Sequence, residues 1–316
     1  MDEDHVRAAY IGRDLRDIPG PQAVIDRIIV QKNCASMLRA ADSLDVGFRS
    51  HIKTHKTAEL ARIQVGNSSN AVNLIISTIP EARILMPLLL EWQKAGREIN
   101  VLYGIPPSSQ CGREIKPMRD ELGPLSFSFL IDNPAQLQNL SELCKEDMSD
   151  PIPIMLKADS GYHRAGLLPD GISFVNLVEE VAACKHVTLQ GIYSHNSLSY
   201  NGSSPTDALQ FLEAELQTVL AAANKAALHF PTQSRKFVLS VGATPSATAA
   251  QNLLASDGDA TVQRLGELIK SIKTLYKVEL HAGVYSVLDM QQLATHARPT
   301  THGQTPTMTH LSLIHI

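Results

Sequence analysis

The chain has 316 residues, of which 44% are hydrophobic and 19% are charged, and its formal net charge is −4. This charge supplies no basic field to hold a nucleic acid, and no apolar run reaches the roughly 18 residues that a membrane span requires, so neither partner is expected. The acidic start, residues 1–4, is unlike a secretory signal. Cys34, Cys111, Cys144 and Cys184 show neither paired nor metal-ligand spacing. We therefore predict a cytoplasmic protein with reduced thiols.

Strand-like and helix-like segments alternate along the chain after an N-terminal arm, residues 1–22. The strand-like runs are short, apolar and often β-branched, and they lie at 46–53, 71–77, 98–103, 126–132, 152–158, 187–195, 236–242 and 277–283. Segments with helical periodicity separate them, among them 134–145, 172–183, 206–227 and 261–275. This alternation predicts an α/β fold, a parallel (β/α)8 TIM-type barrel over residues 23–294. No G-x-G-x-x-G follows the first strand, which disfavours a dinucleotide-binding fold.

The first predicted strand ends in a cationic cluster, residues 49–56 (RSHIKTHK). Because side chains alternate along a strand, Arg49, His51, Lys53 and His55 are predicted to share one face. Repulsion among them is expected to lower the pKa of Lys53 toward neutrality, as a nucleophilic or proton-abstracting lysine requires. A solvated or anion-binding basic patch has the same composition, so the cluster alone leaves both interpretations open.

Polar residues also lie at the ends of later predicted strands, where the active site of a barrel is built. Arg164 lies between two glycines after the fifth strand, and Tyr193 and His195 end the sixth. The seventh strand leads into residues 240–246 (SVGATPS), whose glycine and hydroxyl groups suit a phosphate, and the eighth leads into residues 281–285 (HAGVY). Ordinary turns and packing explain each motif singly, but a position after the seventh and eighth strands favours phosphate binding.

Together these motifs resemble the fold-type III pyridoxal-phosphate enzymes, which share the alanine racemase N-terminal-like barrel. The branch that they resemble is that of the D-serine dehydratases and D-threonine aldolases. Residues 49–56 resemble R-P-H-x-K-T-H-K with serine in place of proline, and residues 157–166 resemble D-x-G-x-x-R-x-G. Residues 193–200 resemble Y-x-H-A-G-H/N-S-Y, although Ser197 and Leu198 depart from it. Residues 240–246 resemble S-x-G-x-T-P-S, and the last strand resembles E-x-x-x-G-x-Y followed by an aspartate.

The resemblance implies that Lys53 carries pyridoxal 5'-phosphate as a Schiff base and later removes the α-hydrogen of a D-amino acid. The residues implied to contact the cofactor are His51, Lys53, Arg164, Tyr193, His195, Tyr200, Ser240, Gly242, Thr244, Gly283 and Tyr285. Residues 279–295 are most similar to fungal members, which favours a D-serine dehydratase, an ammonia-lyase that forms pyruvate and ammonia. A D-threonine aldolase, a non-catalytic cofactor-binding barrel and an inactive fragment remain alternatives.

The resemblance extends over residues 18–294. Family members continue into a C-terminal β-domain that carries a zinc-binding pair and closes the active site of a homodimer. We expect this chain to lack that domain and therefore its zinc ligands. Residues 295–316 show no core pattern, and we interpret them as a divergent tail that is disordered or artefactual. No metal binding is expected of His302, His310 and His315.

Overall fold

A computed structural model of the chain describes residues 3–21, 23–67, 71–147, 150–231, 235–254, 260–299, 311 and 313–315. Two short strands, β1 (Ala23–Ile25) and β10 (Leu313–His315), form an antiparallel pair. Eight parallel strands close into a barrel in chain order. They are β2 (Gly47–His51), β3 (Ala71–Ile76), β4 (Glu98–Tyr103), β5 (Phe127–Ile131), β6 (Ile152–Lys157), β7 (Val187–Ser194), β8 (Val238–Val241) and β9 (Lys277–Ala282). The predicted barrel fold is confirmed.

Helices alternate with the barrel strands and pack around them. They are α1 (Glu3–Tyr10), α2 (Arg27–Leu44), α3 (Ala58–Val65), α4 (Ile79–Lys94), α5 (Ser109–Leu122), α6 (Pro134–Asp147), α7 (Ile172–Ala183), α8 (Pro205–Ala227), α9 (Thr244–Ala249), α10 (Ala260–Leu275) and α11 (Met290–Ala294). Asp26 and Thr57 begin α2 and α3 by accepting backbone N–H groups that have no partner within the helix. Within the described ranges, no helix has the length and apolar character needed to cross a membrane.

The barrel interior combines an apolar cluster with a buried ion pair. A large core that includes residues of both strands and helices surrounds the barrel, and a separate small cluster contains Ile75, Leu102, Leu130, Met155 and Tyr193. Alternation along β2 and β9 also directs Arg49 and Glu279 to one side of the sheet, where Arg49 Nε lies 2.7 Å from Glu279 Oε1. The side chains of Arg49 and Glu279 are 4% and 5% exposed. Arg49 and Glu279 therefore neutralise each other inside the barrel.

The two ends of the chain differ from the predicted arm and tail. The arm contains α1 and a short 3-10 helix at Leu15–Asp17. Residues 313–315 form a strand, in which Leu313 pairs with Ile25 and His315 with Ala23. The interpretation of residues 295–316 as a divergent tail, disordered or artefactual, stays a prediction. The apolar run near the end of the sequence is able to extend as a strand, a signal that the sequence interpretation set aside. His302 and His310 lie outside the described residues.

Candidate active site

A cavity of about 160 Å³ lies at the carboxyl ends of the barrel strands. It far exceeds the roughly 10–15 Å³ that one water molecule occupies, so it has room for a small molecule. Three cationic side chains line it, those of Lys53, Lys157 and Arg164, and the described part of its wall contains no carboxylate. This charge distribution suits an anionic ligand.

Lys53 lies two residues beyond the end of β2, in a turn and not in the strand that the sequence predicted. The backbone N–H groups of His55 and Lys56 both donate to the carbonyl oxygen of Ile52, which closes this turn. As a result His55 turns toward α3, where its Nε2 lies 2.9 Å from Gln64 Oε1. The prediction of one shared basic face is therefore wrong for His55, whereas His51 and Lys53 do line the same cavity.

The pKa of Lys53 is lowered from the usual lysine value, first by loss of solvation in the cavity and then by the positive charge of Arg164. Lys53 is nonetheless exposed to solvent. The predicted direction is confirmed, but its cause is different. The guanidinium of Arg49 is paired with Glu279, and burial lowers the pKa of His51 to about 3, so its ring is neutral. Burial and a loop arginine thus replace the predicted repulsion within the strand.

Lys157 is the second lysine that lines the cavity. Burial lowers its pKa as well, but the carboxylates of Asp132 and Asp159 act in the opposite direction and favour the charged form. Lys53 has a single opposing carboxylate, that of Glu81. The positive charges of Arg164 and Lys53 also lower the pKa of Lys157, so the pKa is lowered at both lysines of the cavity.

The loop that carries Arg164 is held in place through its backbone. Asp159 accepts two loop N–H groups at 2.9 and 3.1 Å, and Gly166 N–H donates to Asp132 Oδ2 at 2.7 Å. Gly166 has a φ of +99°, and a Cβ there would lie 2.9 Å from the Ala158 carbonyl carbon, so glycine is required. This fixed loop brings the Arg164 guanidinium to the cavity.

Two histidines in the cavity wall have tautomers set by their partners. Nδ1 of His195 lies 2.7 Å from the carbonyl oxygen of Gly242, which only accepts, so Nδ1 carries the hydrogen and Nε2 is an acceptor. Burial lowers the pKa of His195 to about 4. Nδ1 of His51 accepts the Lys53 N–H at 3.3 Å, which directs its Nε2–H at Ser77 Oγ, also at 3.3 Å. The cavity therefore contains one neutral imidazole that accepts and one that donates.

The turn between β8 and α9 requires a glycine. Gly242 has a φ of +141°, and a Cβ there would lie 2.4 Å from the carbonyl oxygen of His281. The turn brings Thr244 into the cavity wall, which Tyr200 also lines. The hydroxyl groups of Thr244 and Tyr200 thus form a polar corner of the cavity.

Glu215 of α8 lies fully buried behind this turn. Its carboxyl group accepts the N–H of Asn196 at 2.7 Å and the hydroxyl of Ser246 at 3.1 Å, so it joins two loops of the site. Burial raises its pKa from 4.5 to about 8. Because the folded-state pKa exceeds the unfolded value, this group contributes stability at acidic pH that is lost as the pH rises through about 8.

We expect Glu215→Gln to remove this pH dependence, because glutamine keeps the size and the acceptor oxygen but does not titrate. The free energy of unfolding is measured by denaturant titration at about pH 6 and about pH 9. Between these two pH values it should fall more for the wild type than for Glu215→Gln. Glu213→Gln is the matched control on the same helix, since the Arg264 guanidinium lowers the pKa of Glu213. Parallel pH profiles for wild type and Glu215→Gln would contradict the expectation.

The cavity wall contains most of the residues implied by the resemblance. Eight of them line it, namely His51, Lys53, Arg164, Tyr193, His195, Tyr200, Thr244 and Gly283. Ser240, Gly242 and Tyr285 lie behind the wall: Ser240 Oγ donates to Glu279 Oε1 at 2.7 Å, and the Tyr285 hydroxyl lies 3.2 Å from Ser50 Oγ. These three do not line the cavity, and the cofactor contacts implied for them stay predictions.

Three further polar residues of the wall, Ser77, Lys157 and His281, were not among the residues implied to contact the cofactor, although Lys157 and His281 belong to motifs quoted from the sequence. Each lies at the carboxyl end of a barrel strand, which is the signal that identifies them once the strand ends are known.

Residues 25–269 match the family described as alanine racemase, N-terminal domain. The chain belongs to this family, and the resemblance found in its motifs is confirmed. It is 34% identical over 298 residues to the D-serine dehydratase of Schizosaccharomyces pombe, covering 93% of this chain and 66% of that protein. It is 30% identical over 309 residues to the D-serine dehydratase of Saccharomyces cerevisiae, covering 92% of this chain and 69% of that protein.

A solved structure, that of the D-threo-3-hydroxyaspartate dehydratase from Delftia sp. HT23, shares the fold with a TM-score of 0.68 at 22% identity. The alignment covers 95% of this chain and 67% of that one. The chain thus spans about two thirds of the length of the relatives that it matches, at 66% and 69% of the two fungal proteins.

Proposed function

We propose that this chain binds pyridoxal 5'-phosphate through Lys53 and eliminates water from D-serine, with pyruvate and ammonia as the final products. The observation that carries the proposal is a lysine of lowered pKa in a cationic cavity at the carboxyl ends of the barrel strands. The two fungal relatives named D-serine dehydratase support the choice of substrate.

The donor set of the cavity fits this cofactor. Lys53 supplies the amine that binds its aldehyde carbon. Thr244 and Tyr200 supply hydroxyl groups for its phosphate, and Arg164 and Lys157 supply positive charge for its phosphate and phenolic oxygens. These groups, with no carboxylate among the described lining residues, match an anionic aldehyde.

When bound, pyridoxal phosphate withdraws electrons from the substrate α-carbon and so acidifies the α-hydrogen. Lys53 Nζ, released when the substrate amine replaces it, is the base that takes this proton. The β-hydroxyl then leaves as water with the proton that Lys53 Nζ has taken up, so that the lysine returns to its starting protonation state. The released 2-aminoacrylate takes up one water and loses ammonia, so that D-serine becomes pyruvate and ammonia.

The resemblance implies that complete family members bind zinc. Among the described residues, no three His, Cys, Asp or Glu side chains are grouped so as to hold a metal ion. These residues do not fit a zinc site, and we derive no step through one. The homodimer and the cytoplasmic location stay predictions.

The activity is tested on the purified chain supplied with pyridoxal phosphate. We expect D-serine to yield pyruvate and ammonia in equal amounts and D-threonine to yield 2-oxobutanoate, while L-serine is inert. Pyruvate is measured by reduction with lactate dehydrogenase, and ammonia by glutamate dehydrogenase. Glycine and acetaldehyde from D-threonine, with no pyruvate from D-serine, would identify an aldolase. A cofactor absorbance without turnover of either substrate would identify a non-catalytic barrel.

A further inference from the structure

Glu215 of α8 is a buried carboxyl group that holds two loops of the cavity wall. The residue is 0% exposed, and its Oε1 accepts the N–H of Asn196 at 2.7 Å. Its Oε2 lies 3.1 Å from Ser246 Oγ, and this hydroxyl also accepts the N–H of Ala243 at 2.9 Å. Ala243 and Thr244 line the cavity, as does the residue before Asn196. Both loops therefore depend on one carboxyl group.

Among the described residues, the elements packed against α8 place no cation beside Glu215. These elements are β7, β8, α7, α9, α10 and two 3-10 helices, Ser197–Asn201 and Ala250–Leu254. Of these, β8, α9 and the second 3-10 helix contain no titratable side chain. Tyr193, His195 and Tyr200 belong to β7 and the segment that follows it. Burial keeps all three uncharged, because it raises the pKa of both tyrosines and lowers that of His195 to about 4.

The charged side chains of α8 itself and of α7 and α10 are paired, at helix ends or open to solvent. On α8, Glu213 pairs with Arg264 of α10. Asp207 and Lys225 lie near the two ends of α8. The other charged residues of α7 and α10 are exposed or half-buried, namely Glu179, Glu180, Glu267, Lys270 and Lys273. Glu215 is thus stabilised by hydrogen bonds alone, and burial raises its pKa to about 8.

The geometry around Ser246 accommodates Glu215 with or without a proton. When the carboxyl group is ionised, the Ser246 hydroxyl donates to Oε2. When it is protonated, Oε2–H donates to Ser246 Oγ across the same 3.1 Å, and the hydroxyl hydrogen turns to the carbonyl oxygen of Ala243, 3.4 Å away. Oε1 faces the N–H of Asn196, which only donates, so the proton belongs on Oε2. Glu215 and Ser246 keep their hydrogen-bond partners in both states.

We propose that Glu215 is a positioning residue for the cofactor, and that binding of the cofactor phosphate beside Thr244 and Tyr200 transfers a proton from solvent to Glu215 Oε2. This inference rests on the proposed function. A phosphate dianion in front of the turn repels a carboxylate behind it, whereas a protonated carboxyl group carries no charge to repel. The bound phosphate therefore favours the protonated form of Glu215, which still holds both loops.

The affinity for the cofactor is expected to fall at alkaline pH. Below about pH 8, Glu215 is already protonated in the free protein, and the cofactor binds with full affinity. As the pH rises through about 8, the free protein loses this proton and must take it up again on binding, so the affinity falls. For a coupling of about tenfold, near the lower end of the range for coupled sites, Kd increases about fivefold between about pH 7 and about pH 9.

The Kd of pyridoxal phosphate is measured by isothermal titration calorimetry of the purified protein between about pH 7 and about pH 9. We expect the ratio of the wild-type Kd to that of Glu215→Gln to increase about fivefold over this range, because glutamine imitates the protonated group and does not titrate. Titration at about pH 8.5 in two buffers of different ionisation enthalpy gives the proton uptake. This uptake should be about half a proton per cofactor greater for the wild type than for Glu215→Gln. Glu213→Gln is the matched control and should follow the wild type.

Glu215→Leu tests the positioning role. It removes both hydrogen bonds, so Kd should increase about tenfold or more at every pH, whereas Glu215→Gln should keep the wild-type affinity at about pH 7. If Glu215→Leu is recovered unfolded, the comparison of wild type with Glu215→Gln decides the question. Equal proton uptake by wild type and Glu215→Gln, or equal affinities of Glu215→Leu and Glu215→Gln, overturns the inference.

Borohydride reduction tests the proposed function separately. A reduced adduct on Lys53 together with either of those results leaves cofactor binding intact and overturns only the role of Glu215. A wild type that binds no pyridoxal phosphate overturns the proposed function and this inference with it.

Discussion

Lys53→Arg is expected to abolish the borohydride-reducible cofactor adduct and to slow removal of the substrate α-hydrogen by about 10²–10⁴-fold, the range for loss of a general base. Arginine keeps the charge and much of the length, but its guanidinium does not deprotonate and forms no imine. The adduct is measured by absorbance and by peptide mapping after reduction. Removal of the α-hydrogen is measured as exchange of that hydrogen with deuterium from the solvent.

Lys157→Arg is the matched control for this change, because Lys157 lines the same cavity. We expect it to keep the adduct, since the nearby Asp132 and Asp159 favour a charged side chain at this position. Lys56 does not line the cavity in the described structure, and Lys56→Arg should also leave the adduct unchanged. A reduced adduct that maps to Lys157 or Lys56 in the wild type would contradict the assignment of Lys53.

Arg49→Met is expected to lower the free energy of unfolding by about 3–5 kcal/mol, the cost of removing one partner of a buried ion pair. The variant leaves the carboxylate of Glu279, which is 3% exposed, without its cation inside the barrel. It also removes the hydrogen bond from Arg49 Nη1 to Asn100 Oδ1, which is 2.8 Å long. The loss is measured by denaturant titration of wild type and variant.

Arg62→Met is the control for this second change. Arg62 pairs with Glu91 at the surface, where the two side chains are 48% and 56% exposed, and loss of such a pair is expected to cost about 0–1 kcal/mol. The double variant Arg49→Met/Glu279→Gln should be more stable than Arg49→Met, because no unpaired charge remains inside the barrel. Equal small losses for Arg49→Met and Arg62→Met would show that the buried pair contributes no more than the surface pair.

The barrel was predictable from the sequence because its signals are local. Each apolar run of four to eight residues between helical segments lies on a strand in the structure, from residues 71–77 (β3) to residues 277–283 (β9). The first predicted strand ends at His51 and not at Lys53. The turn hydrogen bonds to Ile52 decide this end, and periodicity does not show them.

The positions of single side chains were less predictable than the elements that carry them. Ser240 was assigned to a ligand because its motif matched, yet its hydroxyl bonds to Glu279, a residue 39 positions away in the sequence. The lowered pKa of Lys53 was attributed to its sequence neighbours, whereas Arg164, from the loop after β6, supplies the main charge that lowers it. Both contacts join parts of the chain that only the closed barrel brings together.

The sequence by itself determined the strand and helix alternation, the family motifs and the lysine that we propose as the site of cofactor attachment. These depend on residue types and spacings within short segments, where alternation and periodicity act. The tertiary structure alone decided which groups neutralise one another, as Arg49 does with Glu279 across 230 residues, and which nitrogen of His195 carries the hydrogen. Pairing and tautomer depend on distances of about 3 Å between residues that are remote in the chain, and closure of the barrel sets those distances.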